Sequence, residues 1–474
     1  MSGLSALKGN MWTRLSLRFL PFADSAGPEL PLSRLLRLSL FQVSVGMAAA
    51  LSVGTLNRVM ILELGVSATF VALMIGLPLV FAPFRALIGF KSDTHRSALG
   101  WRRVPYIWFG TLLQFGGLAF MPFALLVLSG DNNAPVALGK FAAAASFLMI
   151  GAGMHTTQTS GLALATDIAS ESNRARLVAL MYTMLLLGTV VSGLVFGELL
   201  STFTPMRLIQ VVQGTALATL VFNVIALWKQ EQRRPEPSAR EEVEESFSER
   251  WKILVSTGRT KRFLVAVAIG TAAFAMQDAL LEPYGGEILG LSVGSTSMLT
   301  AITAAGSLIA FFAAARALTA GYDPCRLAAY GLLCGVLAFL FVLLSSPFGL
   351  PVLFRIGALL IGLGMGLFSV GTLTFAMQLN EGGLSGLALG AWGAVQATAY
   401  GMAVSVGGVL RDVISESALG GNLGTALASP VTGYSAVYYL EILFLFVSLV
   451  VIGPLAKHQA SASSSKFHLA QFPT

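Results

Sequence analysis

Charge is what this sequence has least of. Only 11% of its 474 residues are Asp, Glu, Lys or Arg, where a soluble chain carries about a quarter. With 55% apolar residues and a mean hydropathy of +0.76, that scarcity excludes a water-soluble globule. Cysteine is equally sparse. Cys325 and Cys334 stand too isolated for a disulfide framework or a metal knot. The four histidines, at 95, 155, 458 and 468, are scattered, so no zinc-ligand spacing exists. A G-x-x-x-x-G-K-[ST] phosphate loop and a G-x-S-x-G nucleophile elbow are also missing. The expectation is a membrane protein that is not an enzyme. Nor do residues 1–37 read as a cleavable signal peptide, because Lys8, Arg14, Arg18, Arg34, Arg37 and three prolines interrupt any short apolar core.

What the sequence has is apolar runs of about 20 residues, the length that crosses a bilayer. Twelve are read, at 38–64, 68–90, 104–128, 137–166, 176–200, 206–228, 262–289, 295–318, 326–346, 351–379, 384–411 and 434–456. The fold class expected is therefore an all-α integral membrane protein with twelve transmembrane helices. Fifty glycines suit close helix packing in lipid. Placing the N-terminus inside puts 24 of the 30 Lys/Arg in the segments 1–37, 91–103, 167–176, 229–262, 316–326 and the tail after 456, which is the bias that orients membrane proteins. Both termini are thus expected in the cytoplasm. Orientation accounts for the net charge of +7, and no nucleic-acid partner is needed.

The chain divides at its centre. Residues 229–262 carry nine Lys/Arg and seven Glu, the composition of a solvated linker. The organisation read is a cytoplasmic segment 1–37, a six-helix half 38–228, a linker 229–261, a second six-helix half 262–456 and a disordered tail 457–474. A faint repeat supports duplication: Gly151, Gly153, Met154 and Gly197 recur at an offset of 211 as Gly362, Gly364, Met365 and Gly408. Two parallel six-helix halves describe the major-facilitator architecture. Between the second and third spans, Gly89 to Asp93, then Arg96 and Gly100-Trp101-Arg102-Arg103, resemble the facilitator Gly-x-x-x-Asp loop with its basic cluster, here with an insertion. That gate loop is expected on the cytoplasmic side, with Asp93 capping a helix or pairing with Arg102 or Arg103.

Longer motifs narrow the resemblance. The runs L-N-R-V-M-I-L-E-L (Leu56 to Leu64), G-A-G-M-H-T-T-Q-T-S-G-L-A-L-A-T-D-I-A (Gly151 to Ala169) and M-Q-D-A-L-L-E-P-Y-G-G (Met276 to Gly286), with the loop above, resemble the PucC/LhaA family. These facilitator-like proteins of phototrophic bacteria are also called the bacteriochlorophyll delivery family. The resemblance implies an assembly factor for light-harvesting complexes in the bacterial inner, intracytoplasmic membrane. Its expected cargo or ligand is bacteriochlorophyll, and its expected partners are antenna polypeptides and enzymes of bacteriochlorophyll synthesis. It carries no catalytic residues over.

The intramembrane polar residues are the candidate sites, because an ionisable group in lipid is costly. Asn57, Arg58 and Glu63 fall late in the first span; Arg58 serves function or pairs with Glu63 at the membrane edge. His155 lies mid-span among small residues, opposite Gly366 in the repeat. Its imidazole, with Gln158 one turn on, is a candidate pigment site that would ligate a chlorin magnesium. The alternative is a packing histidine hydrogen-bonded to Thr or Gln. Asp167, Glu171, Arg174 and Arg176 read as a cytoplasmic charge cluster that clamps the halves. Gln277, Asp278 and Glu282 precede Pro283 and two glycines, which are expected to break the seventh helix. Asp278 there either carries a proton or cation, or partners Arg58 or Arg355.

Two function classes stand: an assembly factor that handles pigment, and a secondary transporter of a tetrapyrrole or other small solute. The orientation is checked by reporter fusions after Arg250 and near Gly420, which should report opposite sides of the membrane. Signals from the same side would refute the twelve-span reading.

Overall fold

In lipid a backbone has to satisfy its own hydrogen bonds, and this chain does so with helices. A computed structural model describes residues 32–81, 101, 103–130, 134–168, 174–231, 258–378 and 385–457; among them no strand occurs. The helices are α1 (Ser33–Glu63), α2 (Ala68–Leu79), α3 (Val104–Leu128), α4 (Val136–Ile168), α5 (Arg174–Leu199) and α6 (Pro205–Leu227), followed by α7 (Gly258–Glu287), α8 (Val293–Thr319), α9 (Pro324–Ser345), α10 (Pro351–Gln378), α11 (Ser385–Leu419) and α12 (Val431–Lys457). Eleven of them are long and apolar enough to cross a bilayer, and α2 is a shorter apolar helix as far as it is described. Of the facilitator-type loop, Gly89, Asp93, Arg96 and Arg102 lie outside the described residues, as does most of the central linker.

Local sequence sets several helix starts. The hydroxyls of Ser67, Thr204 and Ser292 and the carboxylate of Asp323 accept the backbone N–H of Phe70, Arg207, Ser295 and Arg326 at 3.3, 3.2, 3.3 and 3.0 Å. Each satisfies a donor that a helix N-terminus leaves orphaned. Pro205 and Pro324 occupy the first helical positions after two of these caps, where a missing N–H costs nothing.

The packing repeats with a shift of six helices. In the first half α3 packs on α4 and α6, α1 on α5 and α6, and α2 on α4; in the second, α9 packs on α10 and α12, α7 on α11 and α12, and α8 on α10. The halves meet through α2–α11 and α5–α8, a pairing that the same shift maps onto itself.

The glycines of the 211-residue repeat explain why the packing recurs. Gly151 on α4 abuts Pro78 of α2, and Gly362 on α10 abuts Thr303 and Ser307 of α8. A Cβ at Gly153 would lie 2.6 Å from the Gly110 carbonyl oxygen of α3, and one at Gly364 would lie 2.7 Å from that of Gly331 on α9. Gly197 faces Gly294 across α5–α8, and Gly408 faces Ala68 and Ala72 across α11–α2. Each glycine thus permits the backbone approach that its counterpart permits in the other half.

One boundary departs from the sequence reading. Helix α11 runs on to Leu419, eight residues past the expected end at 411. Arg411 and Asp412 do not terminate it because both are paired: Arg411 donates to Glu287 at 2.6 Å and to Tyr434 at 3.0 Å, and Asp412 accepts the N–H of Thr69 at 2.6 Å. Large side chains such as Phe109, Phe120, Phe123 and Phe141 point outward from α3 and α4, 59–71% exposed, as a lipid-facing surface requires.

The glycine contacts predict a sharp contrast. Gly153→Val should lower thermal stability by about 1–3 kcal/mol or more, since the α3 backbone cannot give way. Gly214→Ala, with nothing within 4 Å of its Cβ, should be neutral or stabilise by up to about 1 kcal/mol. Thermal unfolding of the two purified variants, followed by circular dichroism, checks the ranking.

Candidate functional site at the break in helix α7

Helix α7 is discontinuous at mid-length. Its first segment ends at Ala275, a tight turn occupies Met276–Ala279, and helix resumes at Leu281–Glu287. The break therefore precedes Pro283 and the glycine pair, where the sequence reading expected it to coincide with them. Proline explains the offset. Pro283 sits in the first turn of the second segment, where its lacking N–H cannot donate back to Ala279, so the ladder is cut four residues upstream. Within the turn the Leu280 N–H reaches only to the Gln277 carbonyl, at 2.8 Å.

A break frees backbone groups, and in an apolar bundle these need partners. The Gln277 N–H donates to the carboxylate of Glu441 on α12 at 2.7 Å, and the Asp278 carbonyl accepts from the Asn57 amide of α1 at 3.2 Å. Glu441, Asn57 and Gln277 are all buried. The Asp278 carboxylate accepts from the Tyr400 hydroxyl of α11 at 2.6 Å and from the Gln277 side-chain amide. One turn on, Glu282 accepts from Thr300 of α8 at 2.5 Å. Asp278 is half-buried, whereas Glu282 is only 3% exposed.

Asn57 and Arg58 are buried inside the bundle, at 0% and 6% exposure. They occupy a stretch of α1 flanked by two wide helical turns, Ala50–Thr55 and Val59–Glu63, the kind of irregularity that accompanies functional positions. Arg58 pairs with Glu63 at 2.5 Å and donates to the Leu291 carbonyl at 3.4 Å. The partnership of Asp278 with Arg58 or Arg355 is not what the structure shows: Arg58 is engaged by Glu63, Arg355 is exposed on α10, and Asp278 is held by Tyr400 and Gln277.

These contacts lie where the two halves close on one another. Arg58 to Leu291, Asn57 to Asp278, Thr69 to Asp412 and the Thr55–Ser297 hydroxyl pair at 2.9 Å all join the first half to the second. At the opposite end, Arg103 pairs with Asp167 at 3.1 Å, and Glu231 accepts the N–H groups of Arg103 and Val104. The Arg103–Asp167 pair joins α3 to α4 within the first half. It differs from a clamp between halves; Glu171 lies outside the described residues, and the side chains of Arg174 and Arg176 are not described.

His155 and Gln158 are half-buried on α4, sharing with Gly151 the face that looks towards α2. The room expected from neighbouring glycines is taken. Gly151 is filled by Pro78, Gly153 by the α3 backbone, and a Cβ at Gly161 would lie 2.6 Å from the Phe41 ring. Those glycines serve helix packing and do not themselves form a cavity. The structure does not bring His155 together with the α7 cluster through any α4–α7 packing among the described helices.

A family model described as PUCC protein matches residues 55–460. The chain belongs to the PUCC family. A PucC protein of Rhodovulum sulfidophilum is 53% identical over 87% of this chain and 92% of its own length. An uncharacterised protein in the puhA-bchM intergenic region of Rhodobacter capsulatus is 53% identical over 99% of this chain and all of its own length. A chain of the same organism named bacteriochlorophyll synthase 44.5 kDa chain is 27% identical over 80% of this chain and 88% of its own length. Among solved structures, a bacterial homologue of the lysosomal transporter Spinster superposes with a TM-score of 0.67 at 13% identity, over 91% of this chain and 98% of that one. The major-facilitator-like fold is thereby established.

Glu441 was missed by the sequence reading, as were Tyr400 and Asp412. A signal for Glu441 was present: it is the one Asp, Glu, Lys or Arg between Tyr434 and Ala456. Nothing local marks Tyr400, whose partner Asp278 lies 122 residues away in the chain, and the contact of Asp412 with Thr69 spans 343 residues.

The burial pattern ranks two substitutions. Asn57→Leu leaves the Asp278 carbonyl unpaired in the bundle and should cost about 1–3 kcal/mol. Glu63→Gln, at a carboxylate 37% exposed, should cost no more than about 1 kcal/mol. Unfolding midpoints of both variants test the order; equal losses would contradict it.

Proposed function

We propose that this protein is an assembly factor for bacterial light-harvesting complexes, handling bacteriochlorophyll as cargo and delivering or positioning it for antenna polypeptides. One structural observation carries the reading alongside family membership. The intramembrane ionisable groups at the break each have at least one partner within the bundle: Arg58 has Glu63, Asp278 has Tyr400, Glu282 has Thr300 and Glu441 has the α7 backbone. A site built to bind a polar solute would keep charged groups for its ligand. A mostly apolar interior suits a tetrapyrrole and its long alcohol tail better. The names of the PucC relative and of the bacteriochlorophyll synthase chain support the same direction.

The setting that follows is the inner, intracytoplasmic membrane, with both termini and the central linker in the cytoplasm. Partners are the antenna polypeptides and, upstream, enzymes of bacteriochlorophyll synthesis. The second reading, a secondary transporter of a tetrapyrrole or other small solute, is favoured by the fold shared with transporters. The protein is not assigned catalysis in either.

Within the first reading His155, with Gln158 beside it, is the proposed contact for the pigment magnesium, approached from the half-buried side of α4 and not from among its glycines. Deleting the gene should abolish or reduce antenna complexes while pigment synthesis continues, as absorbance spectra of the membranes would record. Normal antenna with failed uptake of a solute would favour the transporter. His155→Leu should insert normally and lose co-purifying pigment; unchanged pigment would return His155 to a packing role.

A further inference from the structure

The α7 break gathers more acid than the contacts between the halves require. Gln277 is bridged on both sides: its backbone N–H holds Glu441, and its side-chain amide holds Asp278. Two carboxyl groups are therefore a single residue's width apart inside the bundle. Glu282 lies one turn away on the same helix.

We propose that this Asp278–Gln277–Glu441 bridge is a proton-binding site, with Glu441 as the buried store and Asp278, beneath Tyr400, as its partly accessible port. The step is a simple acid–base exchange: a proton from hydronium bonds to a carboxylate oxygen, water is released, and the carboxylate's negative charge is neutralised. No electron or group transfer is involved.

Three observations support it. First, two acceptor atoms at the bridge, Glu441 Oε2 and Gln277 Oε1, are buried and have no hydrogen-bond partner among the described residues. A proton on Glu441 turns one of these acceptors into a donor, which is the smallest change that could relieve them.

Second, the surroundings offer the pair little positive charge. From α1 comes Arg58, engaged by Glu63. From α11 come Tyr400, on Asp278, and Arg411, engaged by Glu287 and Asp412. Helix α12 adds Tyr434 and Tyr438, α7 adds Tyr284, and α9 adds the Phe339 ring stacked on Tyr438. Among the described residues, the hydrogen bonds to the Asp278 and Glu441 carboxylates come from Tyr400, Gln277 and the α7 backbone, and none comes from a Lys, Arg or His side chain. Two neighbouring carboxylates so placed cannot both stay charged without heavy cost.

Third, a metal ion is a poor fit, because no group of three or more His, Cys, Asp or Glu among the described residues could hold one.

The inference does not rest on the pigment reading, and its test needs no pigment. Full-length protein in lipid nanodiscs is followed by infrared difference spectroscopy through a pH titration, in water and in deuterium oxide. The expected result is a protonated-carboxyl C=O band in the wild-type protein that titrates and shifts on deuteration. It is lost in Glu441→Gln, altered in Asp278→Asn and retained in Glu63→Gln. Exchanging sodium for potassium at fixed pH should leave it unchanged. A wild-type protein without a titrating band overturns the proposal, as does a band that survives unaltered in both Glu441→Gln and Asp278→Asn. Replacement of the proton by sodium overturns it too. Should Glu441→Gln fail to fold, the wild-type titration and Asp278→Asn still decide.

Discussion

A helix interrupted inside a membrane leaves peptide groups that neither water nor lipid can satisfy, and in this protein two side chains from other helices take them up. Glu441 of α12 receives the Gln277 N–H and Asn57 of α1 donates to the Asp278 carbonyl. Each such bond is worth only about 1 kcal/mol net, but an unpaired peptide group in the bundle would cost more than that, so the break exists only while both partners are in place. Because Asn57 belongs to the first half and Asp278 to the second, the bond between them also registers the halves, while the Gln277–Glu441 bond ties α7 to α12 within the second. The closing contacts from Arg58 to Leu291 and from Asp412 to Thr69 lie on the same side of the molecule.

Around that singular point the bundle is regular. The packing of α1–α6 is repeated by α7–α12, and glycines separated by 211 positions carry the repeat. The asymmetries are what distinguish the halves chemically. The imidazole of His155 stands where the repeat has Gly366, and the broken α7 stands where α1 remains helical with two wide turns. The candidate sites are these points of divergence.

Much of this was legible in the residues, for identifiable reasons. Hydropathy over about 20 residues registers whether a segment can cross lipid, so the twelve helices and the fold could be read directly. Gly151, Gly153, Gly197 and their counterparts were visible as a repeat because close approach demands that residue type. Asn57, Arg58, Asp278 and Glu282 stood out as polar groups in apolar runs. What those groups touch was not legible. Of the two readings of Asp278, proton or cation carrier or partner of Arg58 or Arg355, the structure departs from the second by giving it Tyr400, 122 residues away in sequence. The site of the α7 break was misjudged because the damage proline does appears four residues upstream of the proline itself. The space beside His155 was misjudged because a glycine marks a close neighbour as readily as a cavity.

The central claim, that Glu441 holds the interrupted α7, is tested most directly by hydrogen–deuterium exchange of the α7 amides in the purified protein. The Gln277 amide should exchange as slowly as the helical amides before it, and should become fast in Glu441→Leu while the amides of the first α7 segment stay protected. Fast exchange at Gln277 in the wild-type protein, or unchanged protection in the variant, would contradict the account.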